Sequence, residues 1–166
     1  MNANKVDAIE RLKEEHTAWT KSHPKGLVAN PCPMGDEKGG DTDWLTWRCS
    51  IPGRSKTLWE GGVYHLVLEF TTEYPYHPPT CRFDPPIFHP NVFPSGKVAL
   101  SLLEKDWVPQ ITIQQILLGV QLLLDDPNFS NPAQAEAFVV YSQGKYLYEE
   151  RIKEQAKQMN PSLKVG

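Results

Sequence analysis

The sequence predicts an α+β domain in which one N-terminal helix precedes a four-stranded antiparallel meander and three helices close the chain. Three observations carry this reading. Apolar residues near the N-terminus recur at helical spacing, four β-rich runs follow with glycine and proline between them, and capped helical patterns fill the segment after Pro109. Too little helical sequence lies between the β-rich runs to build parallel crossovers, so the strands are expected to pair antiparallel.

From Lys5 to about Lys21, the apolar residues Ile9, Leu12 and Trp19 recur near helical spacing with charged residues between them, and "SHPKG" ends that helix. Strands are expected over Leu27 to Ala29, Trp44 to Ile51 and Val63 to Phe70, with "TCRF" as a short fourth. "IPG" and "EGG" punctuate them. Between Tyr74 and Pro94 lie seven prolines, which exclude a long helix or a central strand. Tyr74, Tyr76, Phe83, Ile87, Phe88 and Phe93 are interleaved with them, so the segment is expected to pack onto the domain instead of forming a disordered linker.

The stretch "HPNVFPSGKVALSLL", His89 to Leu103, begins as a stiff polar loop and becomes an apolar, strand-like run with Ala99 at the joint. Beyond it, Thr112 and Gln115 spell a capping box that opens an apolar helix through about Asp125. Asn131, Pro132 and Gln134 have the same form: an N-cap, a proline at the first helical position and a glutamine three residues after the cap. A last helix is expected from Lys145 to about Gln158.

The chain has 166 residues, enough for one domain spanning 1–166 with a real apolar core. A net charge of -3 argues against a general nucleic-acid binder, and the partners expected are proteins. The longest apolar stretch, Ile116 to Leu124, is broken by Gly119 and Gln121 and is too short to span a membrane. No secretory signal is visible at the N-terminus, so a nuclear and cytoplasmic location is expected. Cys32, Cys49 and Cys81 are odd in number and widely spaced, which suits neither a disulfide framework nor a zinc site. Cys49 and Cys81 read as small buried hydrophobes, and the five histidines lack metal-ligand spacing.

The element order, together with "RLKEEHTAW", "HPKG", "IPGRSKTLWEGGVY", "EYPYHPP", "PPIFHPNVFPSG", "ITIQQILLGVQLLL" and "PAQAEAF", resembles the ubiquitin-conjugating enzyme family, its SUMO-conjugating branch most closely. The likeness runs from about Ile9 to Gln158. It implies the ubiquitin-conjugating-enzyme fold and thioester chemistry: a cysteine takes the C-terminus of a ubiquitin-like protein from an activating enzyme and passes it to a substrate lysine. The family places that cysteine a few residues after His-Pro-Asn and Pro-Ser-Gly, where this chain has Ala99. A methyl group forms no thioester, so the chain as written is expected to be inactive in transfer, and Cys81 is not expected to replace the nucleophile. Ala99 fits an introduced cysteine-to-alanine change or a naturally inactive variant that serves as a binding adaptor.

The resemblance also implies roles for other residues. Asn91 would support the oxyanion of lysine attack, or tie the loop down through its amide, or both. Asn131 matches a position that is commonly aspartate in the family; asparagine cannot act as a base there, which leaves the N-cap reading. Phe93 and Phe138 stand where SUMO-conjugating enzymes tend to have tyrosine, leaving apolar walls for a lysine stem. Pro132, Ala133 and Gln134 belong to the same substrate surface.

The family reads an acidic residue after the target lysine. Here Thr80 occupies a usual lysine position and Lys97 a usual threonine position, so Lys97 with Ser95 and Arg82 is the candidate reader; a solvated surface lysine is the plainer alternative. His16, Thr17, Thr20, Lys21 and His23 occupy the partner-binding face of a helix that is markedly basic in SUMO-conjugating enzymes, so attraction to an acidic partner should be weaker. The loop "LSLLEKD" is two residues shorter than is usual in that branch and matches ubiquitin-type length. The partners implied are SUMO, its activating enzyme, its ligases and lysine-bearing substrates, with the chain a monomer. No metal or bound cofactor is implied, because ATP is consumed upstream by the activating enzyme.

Overall fold

The structure, a computed structural model, describes residues 2–34 and 40–163. Helix α1 spans Asn2–Lys21, and strands β1 (Val28–Pro33), β2 (Thr42–Pro52), β3 (Val63–Glu69) and β4 (Thr80–Phe83) follow. Their order in the sheet is β1-β2-β3-β4, and each pair is antiparallel, so the expected meander is present. Three helices close the chain: α2 (Ile113–Asp125), α3 (Ala135–Gln143) and α4 (Lys145–Gln158). No described helix is long and apolar enough to cross a membrane.

Alternation along β2 and β3 points Trp47, Cys49 and Ile51, with Tyr64, Leu66 and Leu68, into the core. Helix α1 buries Ala8, Leu12 and Trp19, while α2 buries Ile113, Ile116, Leu117, Val120 and Leu124. Full burial of each large side chain stabilises the fold by about 1.5–3 kcal/mol. One carboxylate joins α1 to the start of α2. Glu15 accepts the Ile113 amide at 2.7 Å and the Arg11 guanidinium at 3.0 Å, and the Tyr74 hydroxyl also donates to it. A negative charge at a helix N-terminus is favourable, and here it also anchors the proline-rich segment.

That segment packs as expected, with Tyr74, Phe83, Ile87 and Phe88 buried, whereas Tyr76 and Phe93 are exposed. The Thr112–Gln115 capping box is present in both directions. The second predicted cap is not. Helix α3 begins at Ala135, four residues after Asn131, and Asn131 and Pro132 lie outside it. Tertiary bonds displaced the local motif: Ala133 N–H donates to the Pro90 carbonyl at 2.7 Å, and the Gln134 amide donates to the carbonyls of Ile87 and Val92, both at 3.0 Å. Nor does the run after Ala99 form a strand. Ser101–Leu103 is a single 3₁₀ turn, and before it only Lys97 and Val98 make isolated bridges, to Arg82 and Val92.

Candidate active site

The prolines and glycine of the His89–Val98 stretch build a tight hairpin along the edge of β4. Gly96 N–H donates to the Phe93 carbonyl at 2.8 Å, Phe93 N–H to Lys97 at 2.8 Å, and Val98 N–H to Cys81 at 2.9 Å. Gly96 has φ +96°, and a Cβ there would lie 2.2 Å from the Phe83 carbonyl oxygen, so the turn needs glycine. The return arm delivers Ala99, whose N–H donates to the Asn91 carbonyl at 2.8 Å.

Beyond this bond the chain opens into a cleft of about 260 Å³. Asn91, Ala99 and Asn131, three of the residues singled out from sequence, line it together. Asn91 is 3% exposed, and its amide is committed: Nδ2 donates to the Asn128 carbonyl at 2.8 Å while Oδ1 accepts the Asn128 N–H at 2.7 Å. Of the two roles open to Asn91, the loop tie is therefore observed directly. Below it, His89 is fully buried. Its Nδ1 accepts the Asn91 N–H at 2.9 Å, so Nε2 carries the proton and donates to the Leu123 carbonyl at 2.8 Å. Burial lowers the imidazole pKa to about 4, so His89 is neutral near neutral pH.

The remaining predicted residues do not share the cleft. Phe93, Ser95, Lys97 and Arg82 form the adjoining hairpin edge, with the Ser95 hydroxyl accepting the Lys97 N–H at 3.3 Å. Arg82 is already paired, with Glu69 at 3.1 Å and Asp84 at 3.8 Å, whereas Lys97 has no ion-pair partner among the described residues. Phe138 is exposed on α3. Gln134 lines a separate groove with Pro86, Pro94 and Glu136.

On α1, the Thr17 and Thr20 hydroxyls turn back to the carbonyls of Lys13 and Thr17, at 3.0 and 2.8 Å. His16 meets Trp44 and Trp47 edge-on with ring centroids 5.6 and 5.7 Å apart, and His23 stacks on Trp19. Lys21 is exposed in the last turn. This face is thus aromatic as much as charged.

Sequence reasoning missed four polar residues that line the cleft, Ser101, Glu104, Lys105 and Asn128, beside the apolar Leu100 and Leu123. The first three lie in "LSLLEKD", noted only for its length. Neither buried thiol, Cys49 or Cys81, lines the cleft. Burial pushes Cys81 up to about 12 and raises Cys49 further, so both remain protonated thiols. Among the described residues, no group of three His, Cys, Asp or Glu could hold a metal ion.

The sequence profile of the family described as "Ubiquitin-conjugating enzyme" matches residues 11–156. The chain belongs to the ubiquitin-conjugating enzymes. It is similar to three curated members of that family. Identity is 49% to the SUMO-conjugating enzyme UBC9 of Caenorhabditis elegans, over 90% of this chain and 89% of the relative. It is 47% to the Sumo-conjugating enzyme ubc9 of Dictyostelium discoideum, over 91% and 94%. It is 46% to the SUMO-conjugating enzyme SCE1 of Arabidopsis thaliana, over 89% and 92%. Within this ubiquitin-conjugating scaffold, the cleft offers a fixed loop, an amide-tied wall and a methyl group at its base.

Proposed function

We propose that this chain is a SUMO-conjugating transferase scaffold whose active form carries cysteine at position 99, and that the form with Ala99 is disabled. In the active form the thiolate takes the SUMO C-terminus from the activating enzyme as a thioester, and a substrate lysine then attacks it. Asn91 holds the 128–131 segment over that thioester. Phe93 and Phe138 flank the lysine stem, and the surface from Pro132 to Gln134 lies beside them. His16, Thr17, Thr20, Lys21 and His23 contact the activating enzyme and SUMO. The chain acts as a monomer in the nucleus and cytoplasm, binds no metal or cofactor, and relies on ATP used upstream; ligases and substrate proteins are its other partners.

The observation that carries this reading is the placement of residue 99. Its backbone is fixed by the Asn91 carbonyl at the base of a cleft lined by Asn91 and Asn131, and no other described cysteine reaches that cleft. The deciding experiment is to make Ala99→Cys and incubate both forms with ATP, activating enzyme and either SUMO or ubiquitin. A reductant-sensitive SUMO adduct on Ala99→Cys alone is expected. An adduct with ubiquitin instead would reassign the modifier.

The alanine itself favours a second reading, a non-catalytic adaptor that binds a ubiquitin-like protein. Binding of uncharged modifier without an adduct on either form would select it.

The unpaired Lys97 beside the paired Arg82 supports one specificity role: Lys97 reads an acidic residue downstream of the target lysine. In the Ala99→Cys form, Lys97→Glu should abolish any preference for such substrates. Unchanged selectivity in competition between acidic and neutral peptides would remove Lys97 from the site.

A further inference from the structure

The cleft above Ala99 is lined by two charged side chains, Glu104 and Lys105, on the same short loop. Glu104 is the one carboxylate in that lining, because the facing residues Asn91, Asn128 and Asn131 are all neutral amides. Its backbone is fixed on both sides: Glu104 N–H donates to Ser101 at 3.0 Å, and its carbonyl accepts the Trp107 N–H at 3.3 Å. Buried Leu103 and the Trp107 indole, which donates to the Pro75 carbonyl at 2.9 Å, pin the loop to the domain. The Glu104 side chain is exposed, and no ion pair or hydrogen bond engages it among the described residues.

Resting on the reading of position 99 as the acylation site, we infer that Glu104 is the charge-stabilising residue for lysine attack in this cleft. The lysine nitrogen attacks as a neutral amine. Its lone pair forms the C–N bond to the thioester carbonyl carbon, and positive charge develops on nitrogen. The C–S bond then breaks, sulfur leaves as thiolate, and the surplus proton passes from nitrogen to the Glu104 carboxylate and on to water. A carboxylate carried beside the cleft on a fixed backbone stabilises that developing charge more than it stabilises the neutral amine, which is what acceleration requires. Lys105 acts with the opposite sign, so the two variants are predicted to move the rate in opposite directions.

The test uses the full chain with Ala99→Cys, charged with modifier, then chased either with free lysine or with 2-mercaptoethanol, whose thiolate develops no positive charge. Glu104→Gln should slow lysine discharge by about two- to fivefold, the range of an exposed charge contact, and the loss should shrink with added salt. Discharge to the thiol should not slow. Lys105→Gln should speed lysine discharge, and adding Asn131→Asp to Glu104→Gln should restore much of the loss by returning a carboxylate to the cleft lining. An equal slowing with lysine and thiol, or no slowing with lysine, overturns the inference while leaving position 99 in its role. Failure of Ala99→Cys to charge at all overturns both.

Discussion

Two asparagines that line the cleft, Asn91 and Asn131, behave in opposite ways. Asn91 is buried, with its side-chain amide bonded to Asn128 on both polar atoms and its N–H held by His89. Asn131 is exposed, and no side-chain hydrogen bond engages it among the described residues. The same residue type thus serves as scaffold at one position and faces solvent at the other. The lesson is that burial and bonding, not residue identity, separate what holds this site from what is free to act in it.

The sharpest way to break the contrast is Asn91→Ala. It removes two hydrogen bonds that tie the buried Asn91 side chain to the exposed Asn128, whose freed N–H and carbonyl water can reach, so a loss of about 1–3 kcal/mol in chemical denaturation is expected. Next comes pH. His89 has a folded pKa of about 4, below its ordinary 6.5, so the unfolded chain binds more protons between those values. Its contribution is complete above pH 6.5 and is lost as pH falls toward 4, by up to about 3 kcal/mol. Protonation at Nδ1 would set two donors face to face with the Asn91 N–H. Unfolding at pH 4.5 and 7 should therefore differ less in His89→Gln than in the parent.

A smaller change is expected for Ser130→Ala. Its hydroxyl, 2.6 Å from Asn128 Oδ1, stiffens the tied loop from an exposed position, so about 0.5–1 kcal/mol is expected by the same denaturation measurement. Asn131→Ala should be nearly silent, within about 0.5 kcal/mol. A cost comparable to that of Asn91→Ala would erase the distinction between the two asparagines.

Sequence made the scaffold legible wherever local chemistry decided the outcome. The Thr112–Gln115 box, the strand runs around Cys49 and Leu66, and the span of the last helix all follow from patterns a few residues long. It misled at Asn131, where a sound local cap lost to carbonyls of Ile87, Pro90 and Val92, more than forty positions away, that claimed Gln134 and Ala133. It was silent about Glu104. A charged residue on a short loop looks like any other surface charge until the 3₁₀ turn at Ser101–Leu103 brings it to the cleft. The committed amide of Asn91 was half visible, since a turn asparagine invites backbone bonding, but its partner Asn128 lies 37 residues away.

The bond that fixes residue 99 is made by its backbone N–H, as are those of Val98 before it and of Leu103 and Glu104 in the turn beyond. Folding at this position is therefore indifferent to whether the side chain ends in a methyl, a hydroxyl or a thiol. Cellular quality control, which inspects exposed apolar surface and unfolded chain, has nothing here by which to tell a copy with cysteine at position 99 from one with alanine. If position 99 is the acylation site proposed above, a single codon uncouples the dose of this protein from the dose of its chemistry, and the two copies would compete on equal terms for every surface they share.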